Sequence, residues 1–219
     1  MSLPSVSERG FSWKSPSSWI GSFQKFFDVT SDEVVDRLKG AANPIRASNS
    51  GDGDSLLAKP DLYGPFWIMT TAIIAMTGAA NIERMFLDST RTSPDYSLMW
   101  TAAWCVYGSI LVLPVFVYSF TLFSAPSLGE YKVNYSHLLC VYGYSGVSLI
   151  PAVLACTVPW LSLQRVVLAA GAANSGLFIH QKLWNLMSPA PSTLRLFTVV
   201  TAIACQAICF LAYYFLFLV

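Results

Sequence analysis

After Pro65 the sequence turns almost uninterruptedly apolar, and this change constrains the fold more than any other feature. Five apolar segments follow, at about 66–86, 98–123, 135–158, 161–183 and 196–219. Each is near the ~20 residues a helix needs to cross a hydrocarbon core. Inside such a core every backbone N–H and C=O must find a partner within its own segment, so the segments are expected to be helices. The charges are placed accordingly: of 25 Asp, Glu, Lys and Arg residues, 15 lie in residues 1–61 and 10 in the remaining 158. The whole chain is 54% hydrophobic and 11% charged, against roughly 25% charged in soluble domains. The expected fold is therefore an all-α membrane protein, a bundle of five transmembrane helices with a short cytosolic N-terminal helix.

The polar third divides into parts. Residues 1–22 are rich in Ser and Pro, with no period that buries a face, and read as a disordered cytosolic tail. Residues 23–40 form an amphipathic helix region. Thr30 and Glu33 have the spacing of a capping box, with Val29 and Val34 at the staple positions, which predicts a helix from about Ser31 to Lys39. Val34, Val35 and Leu38 make its apolar stripe, and Gly40 is the expected terminator. The stripe needs cover from the protein's own bundle, the bilayer interface or another protein. Residues 41–60, with Pro44, Ser48, Gly51 and Gly53, read as a linker that uncouples this helix from the membrane domain at 61–219.

No apolar run in the first sixty residues suits a cleavable signal, which predicts a cytosolic N-terminus. With that orientation Arg9, Lys14, Lys25, Arg37, Lys39, Arg46, Lys59, Lys132, Lys182 and Arg195 are cytosolic. Only Arg84, Arg91 and Arg165 lie on the far side, in agreement with the positive-inside rule. Five spans would then put the C-terminus in the lumen.

The helix that begins the membrane domain is well signalled. Gly64 and Pro65 suit a helix start, Asp61 precedes it where a carboxylate favours the dipole, and Tyr63 and Trp67 are rings that settle at headgroup level. The string Asp61-Leu62-Tyr63-Gly64-Pro65-Phe66-Trp67-Ile68 resembles the signature of the Yip family, membrane proteins that interact with Ypt/Rab GTPases. A second string, Tyr142-Gly143-Tyr144-Ser145 followed by Pro151, resembles the family's Gly-Tyr-Ser element, in the expected order about eighty residues on. The resemblance covers residues 23 to 219. It implies a multi-pass Golgi or endoplasmic-reticulum membrane protein of vesicle-mediated transport, whose partners are prenylated Rab-type small GTPases, other Yip-family membrane proteins and the lipid bilayer. The partner-binding motif it implies is Asp61, Leu62, Tyr63, Gly64 and Pro65, with Gly143, Tyr144 and Ser145 as the second motif. Tyr63, Phe66 and Trp67 beside Asp61 are then expected to line the mouth of a prenyl groove.

Other chemistry finds little support. A formal charge of +1 gives no field for nucleic acid. No nucleophile–base set or phosphate-cradling loop occurs, so no catalytic residue and no cofactor is expected. Cys105, Cys140, Cys156, Cys205 and Cys209 all lie in apolar segments as packing residues. Cys205 and Cys209 share a helix face but lack a His or carboxylate, so no metal site is expected. Glu83 and Arg84 are expected to snorkel to the far interface. The small residues around Gly171, with Asn174, Ser175 and Gly176, mark a helix-packing site, for which 77–81 is a plausible counterpart. Gly143, Gly146, Ser148 and Pro151 allow a bend in the third span. Two alternatives stand beside the trafficking role: a bilayer-shaping protein of the early secretory pathway, or a small transporter or channel using that bend.

Overall fold

Backbone groups that cannot reach water pair with each other, and among the described residues every regular element is a helix. The structure, a computed structural model, describes residues 27, 29–49, 56, 59–88, 90, 93–124, 134–188 and 190–218. The tail read at 1–22 lies outside the described residues, as does most of 50–58.

Helix α1, Ser31–Ala42, begins as its sequence dictates. The Glu33 N–H donates to Thr30 Oγ1 at 3.4 Å and the Thr30 N–H donates to Glu33 Oε2 at 3.3 Å, so two orphan donors are satisfied reciprocally. The helix runs through Gly40 to Ala42, where the Asn43 N–H closes on the Lys39 carbonyl at 3.0 Å. Its buried face is Val34, Arg37 and Ala41, while Val35 is 44% exposed. The linker expected at 41–60 is helical in part. Helix α2, Pro44–Asn49, starts at a proline in its first position, and Asn43 Oδ1 accepts from the Arg46 N–H at 3.2 Å. Leu56 is buried in the same apolar cluster as Ala41.

Helices α3, Tyr63–Leu87, and α4, Ser97–Ser124, are single long rods of 25 and 28 residues, about 37 and 42 Å long at 1.5 Å per residue. The next segment is interrupted. Helix α5, Tyr135–Ser145, passes through a 3-10 turn, Gly146–Ser148, into α6, Leu149–Ala155. The interruption lies ahead of Pro151, which sits in the first turn of α6. Helix α7, Leu161–Leu186, and α8, Ser192–Tyr213, complete the bundle, and α8 loosens into a π-helical turn at Tyr214–Leu218.

Among the described residues, four helical stretches are long and apolar enough to cross a membrane: Tyr63–Leu87, Ser97–Phe123, Tyr135–Ala155 and Ser192–Phe217. The sequence suggested five. The remaining one, α7, has the length at 26 residues but carries Gln164, Arg165, Asn174, His180, Gln181 and Lys182. It packs against α8, α6 and α5, and several of its polar groups point inward to partners. Polar side chains on its inward face meet protein, while Leu161, Val166 and Leu177 are exposed on its outer face. The outer face of α4 is apolar too: Trp100, Trp104 and Phe123 are 71%, 75% and 86% exposed, as lipid contact requires.

Candidate functional site at the junction of two motifs

The two strings singled out in the sequence meet in space. Asp61 stands three residues ahead of Gly64, and its Oδ1 accepts the Gly64 N–H at 3.2 Å, capping the start of α3. The other carboxylate oxygen accepts from Tyr144 OH at 2.9 Å and from Arg37 Nη1. Arg37 Nη2 donates to the Lys59 carbonyl at 3.0 Å, tying the guanidinium to the chain just ahead of the motif. The carboxylate is fully buried and the Arg37 residue is 6% exposed. A buried ion pair tolerates desolvation better when other polar groups bond it, and here a phenol, an amide and a carbonyl do so. Three elements therefore converge on one carboxylate: α1 through Arg37, α3 through Gly64 and α5 through Tyr144.

Close approach explains the glycines. A methyl group on Gly64 would fall on the hydroxyl and ring of Tyr144, and one on Gly143 would fall on the Pro65 ring. Each motif thus supplies the glycine that admits a side chain of the other. Ser145 is buried and its hydroxyl donates to the Tyr142 carbonyl at 2.7 Å, while Tyr142 OH donates to the Ala202 carbonyl at 3.1 Å, linking α5 to α8.

The residues of the expected partner-binding motif have different fates. Asp61, Gly64 and Pro65 are buried, Leu62 is half-buried and only Tyr63 is exposed, at 42%. Phe66 and Trp67 are also exposed, and the Trp67 ring makes edge contacts with Phe66 at 5.5 Å and Tyr63 at 6.3 Å. The aromatic group faces outward while Asp61 points into the protein, so the two do not line a common mouth. The sequence reading missed Arg37. Its signal was positional: Arg37 lies three residues after Val34 and four before Ala41, on the face that becomes buried.

The small-residue run in α7 lies between helices of the same chain. A Cβ on Gly171 would meet Ala152 Cβ at 3.0 Å and Phe210 Cε1 at 3.1 Å, and one on Gly176 would meet Ile203 at 3.4 Å. Ser175 Oγ accepts from Gln206 Nε2 at 3.0 Å. Asn174 Nδ2 donates to Ser148 Oγ at 2.7 Å and to the Ala41 and Ala42 carbonyls at 3.2 and 3.3 Å, reaching the orphan C-terminal carbonyls of α1. The suggested counterpart at 77–81 is occupied elsewhere: Asn81 bonds the Asp95 backbone through both its amide atoms, at 3.2 and 2.6 Å, and Gly78 faces open space.

Glu83 departs from the expected snorkelling. It turns inward, 5% exposed, and Oε1 accepts from Gln164 Nε2 at 2.5 Å. The same amide donates to the Cys156 and Val158 carbonyls at 3.1 Å each, joining α3, α7 and the end of α6. Arg84 does reach the surface and pairs with Asp95 at 3.5 Å. No group of three or more metal-ligating side chains occurs among the described residues. A small cavity of about 40 Å³ beside the bend, lined by Ile68, Met69, Tyr142, Gly146, Gln206 and Phe210 among others, has room for about one water molecule.

Two curated proteins are similar to this chain. One is named Protein YIPF1 homolog, from Dictyostelium discoideum, 28% identical over 169 residues that make up 76% of this chain and 46% of that protein. The other is named Protein YIP5, from Schizosaccharomyces pombe, 30% identical over 149 residues, 62% of this chain and 57% of that protein. The chain spans about half the length of these relatives. No family model matches the chain, and no solved structure does.

Proposed function

We infer, from membership of the Yip family that both relatives support, that this membrane protein serves vesicle-mediated transport by recruiting prenylated Rab-type small GTPases and associating with other Yip-family proteins. Its place is the Golgi or endoplasmic-reticulum membrane, with α1 on the cytosolic side. The observation that carries this reading is the exposed aromatic group of Tyr63, Phe66 and Trp67 at the start of α3, beside an arm locked in place by Arg37 and Asp61. Apolar rings at the membrane boundary offer contact to a lipid-modified protein tail, and a fixed arm gives the contact a defined neighbour. Asp61 acts behind this surface by holding it together.

The test follows from that division. Recovery of doubly prenylated and unprenylated Rab-type GTPases is compared on the reconstituted protein and on a Phe66→Ala/Trp67→Ala variant, whose changes are on the outer face. Loss of two aromatic contacts is expected to weaken recovery of the prenylated form by at least about tenfold, corresponding to ~1.4 kcal/mol. Equal recovery on both proteins refutes the reading. Deformation of liposomes by the protein without GTPase would then favour the bilayer-shaping alternative.

A further inference from the structure

The Arg37–Asp61 pair shows how this fold neutralises one buried carboxylate, and the other, Glu83, lacks that arrangement. Glu83 is 5% exposed near the C-terminal end of α3, and among the described residues it has no ion pair. Arg84, next in sequence, turns to the surface and pairs with Asp95. The surroundings of Glu83 add negative potential. Gln164 Nε2 lies 2.5 Å from Glu83 Oε1 and 3.1 Å from the Cys156 and Val158 carbonyls, which stand at and just past the C-terminal end of α6. Two helix C-termini thus meet at a carboxylate, where the dipoles disfavour an anion, and the start of α7 returns only about half a positive charge. The amide nitrogen carries two hydrogens for three oxygens, so one acceptor is left over. Tyr213 brings a fourth oxygen. Its hydroxyl is buried without a hydrogen-bond partner, in the same buried cluster as Cys156 and within electrostatic range of Glu83.

Buried charges in proteins are paired or coordinate a metal. Three oxygens converge here on one point, and carboxylate, carbonyl and hydroxyl oxygens are the donors a hard cation takes. We propose that the junction of α3, α6 and α7 binds a monovalent metal cation of the sodium and potassium class. Its ligands are Glu83, Gln164 and the Cys156 and Val158 carbonyls, with the Tyr213 hydroxyl as a further donor. Half a turn of the Gln164 amide exchanges its nitrogen for Oε1, so one side chain serves in turn as hydrogen-bond donor to these oxygens and as a ligand beside them. One carboxylate balances one positive charge, whereas a divalent ion would leave a surplus charge buried. The site stands at the end of α3 opposite Asp61, so the ion would clamp the bundle at the end that α1 does not reach.

Linked stability of the full chain in detergent tests this. The unfolding midpoint at about 0.1 M sodium or potassium chloride is expected to exceed that in choline chloride of equal strength by at least about 3 °C. Glu83→Gln keeps the size of the side chain and should abolish the difference. Asp36→Asn, an equal change of charge on the exposed face of α1, should retain it. Tyr213→Phe keeps the ring stacked on Phe217 and should raise the half-saturating cation concentration by about threefold or more. Equal midpoints of the unaltered protein in the metal and choline salts overturn the assignment, and so does a difference that survives Glu83→Gln. Equal loss in Asp36→Asn would mean general screening and overturns it too. A larger rise in calcium chloride at matched ionic strength overturns the monovalent class. Should Glu83→Gln fail to fold, Tyr213→Phe decides, and an unchanged half-saturating concentration there refutes the site.

Discussion

Removing the Arg37 guanidinium should release α1 from the bundle, and the size of the effect follows from the site. In Arg37→Met the Asp61 carboxylate stays fully buried, with Tyr144 OH at 2.9 Å and the Gly64 N–H at 3.2 Å still donating to it. Breaking a buried pair from one side costs about 3–5 kcal/mol. The two surviving donors place this case at the lower end, near 3 kcal/mol, roughly a 150-fold rise in the open population at 1.4 kcal/mol per tenfold. Amide hydrogen exchange on the reconstituted protein reads that population locally, and the protected amides of α1 should exchange faster by about that factor while the middle of α8 does not change. The partner change, Asp61→Asn, removes the counter-charge of the buried guanidinium and should act on the same amides. Once one partner is gone the second has less to lose. The double variant should therefore cost less than the two single costs together, by about 2 kcal/mol. Unchanged exchange in α1, or strictly additive costs, would show that the pair does not hold the arm.

The other predictions concern the packing that the motifs create. Gly64→Ala and Gly143→Ala should each lower stability by about 1–3 kcal/mol through overpacking, whereas Gly78→Ala, whose new methyl meets nothing within 4 Å, should be neutral or slightly stabilising. Thermal unfolding in detergent distinguishes the three, and equal behaviour of Gly64→Ala and Gly78→Ala would contradict the motif contact. Gln164→Leu removes the amide donor of buried Glu83 and should destabilise the bundle by about 2 kcal/mol. A Glu83→Gln/Gln164→Leu pair should recover part of that loss in the same assay, and a second variant as unstable as the first would mean that the amide is incidental.

Much of the architecture follows from composition and short-range rules. Long apolar runs require helices because lipid offers no partner to the backbone, and the capping box at Thr30 and Glu33 fixes where α1 begins. The bend in the third segment was legible from its glycines and serines, although the break falls at Gly146–Ser148, where the chain takes up a 3-10 turn. The two motifs were visible as strings, yet nothing local said that they touch. Eighty-three residues separate Asp61 from Tyr144, and a contact over that distance exists only once α3 and α5 lie side by side.

Tertiary structure alone decided which polar groups are internal. Arg37 and Glu83 read as cytosolic or boundary residues because side-chain polarity predicts exposure unless a partner awaits inside, and the partner comes from another element. The same reason makes α7 the least apolar of the long helices and still part of the bundle. Its amides and hydroxyls meet Glu83, Ser148 and Gln206, contacts that no periodicity within its own 26 residues encodes. The sequence by itself determined that the chain is helical and suited to a membrane. Which face of each helix turned inward, and hence that Asp61 anchors an arm, depended on side-chain pairs formed only when the helices assembled.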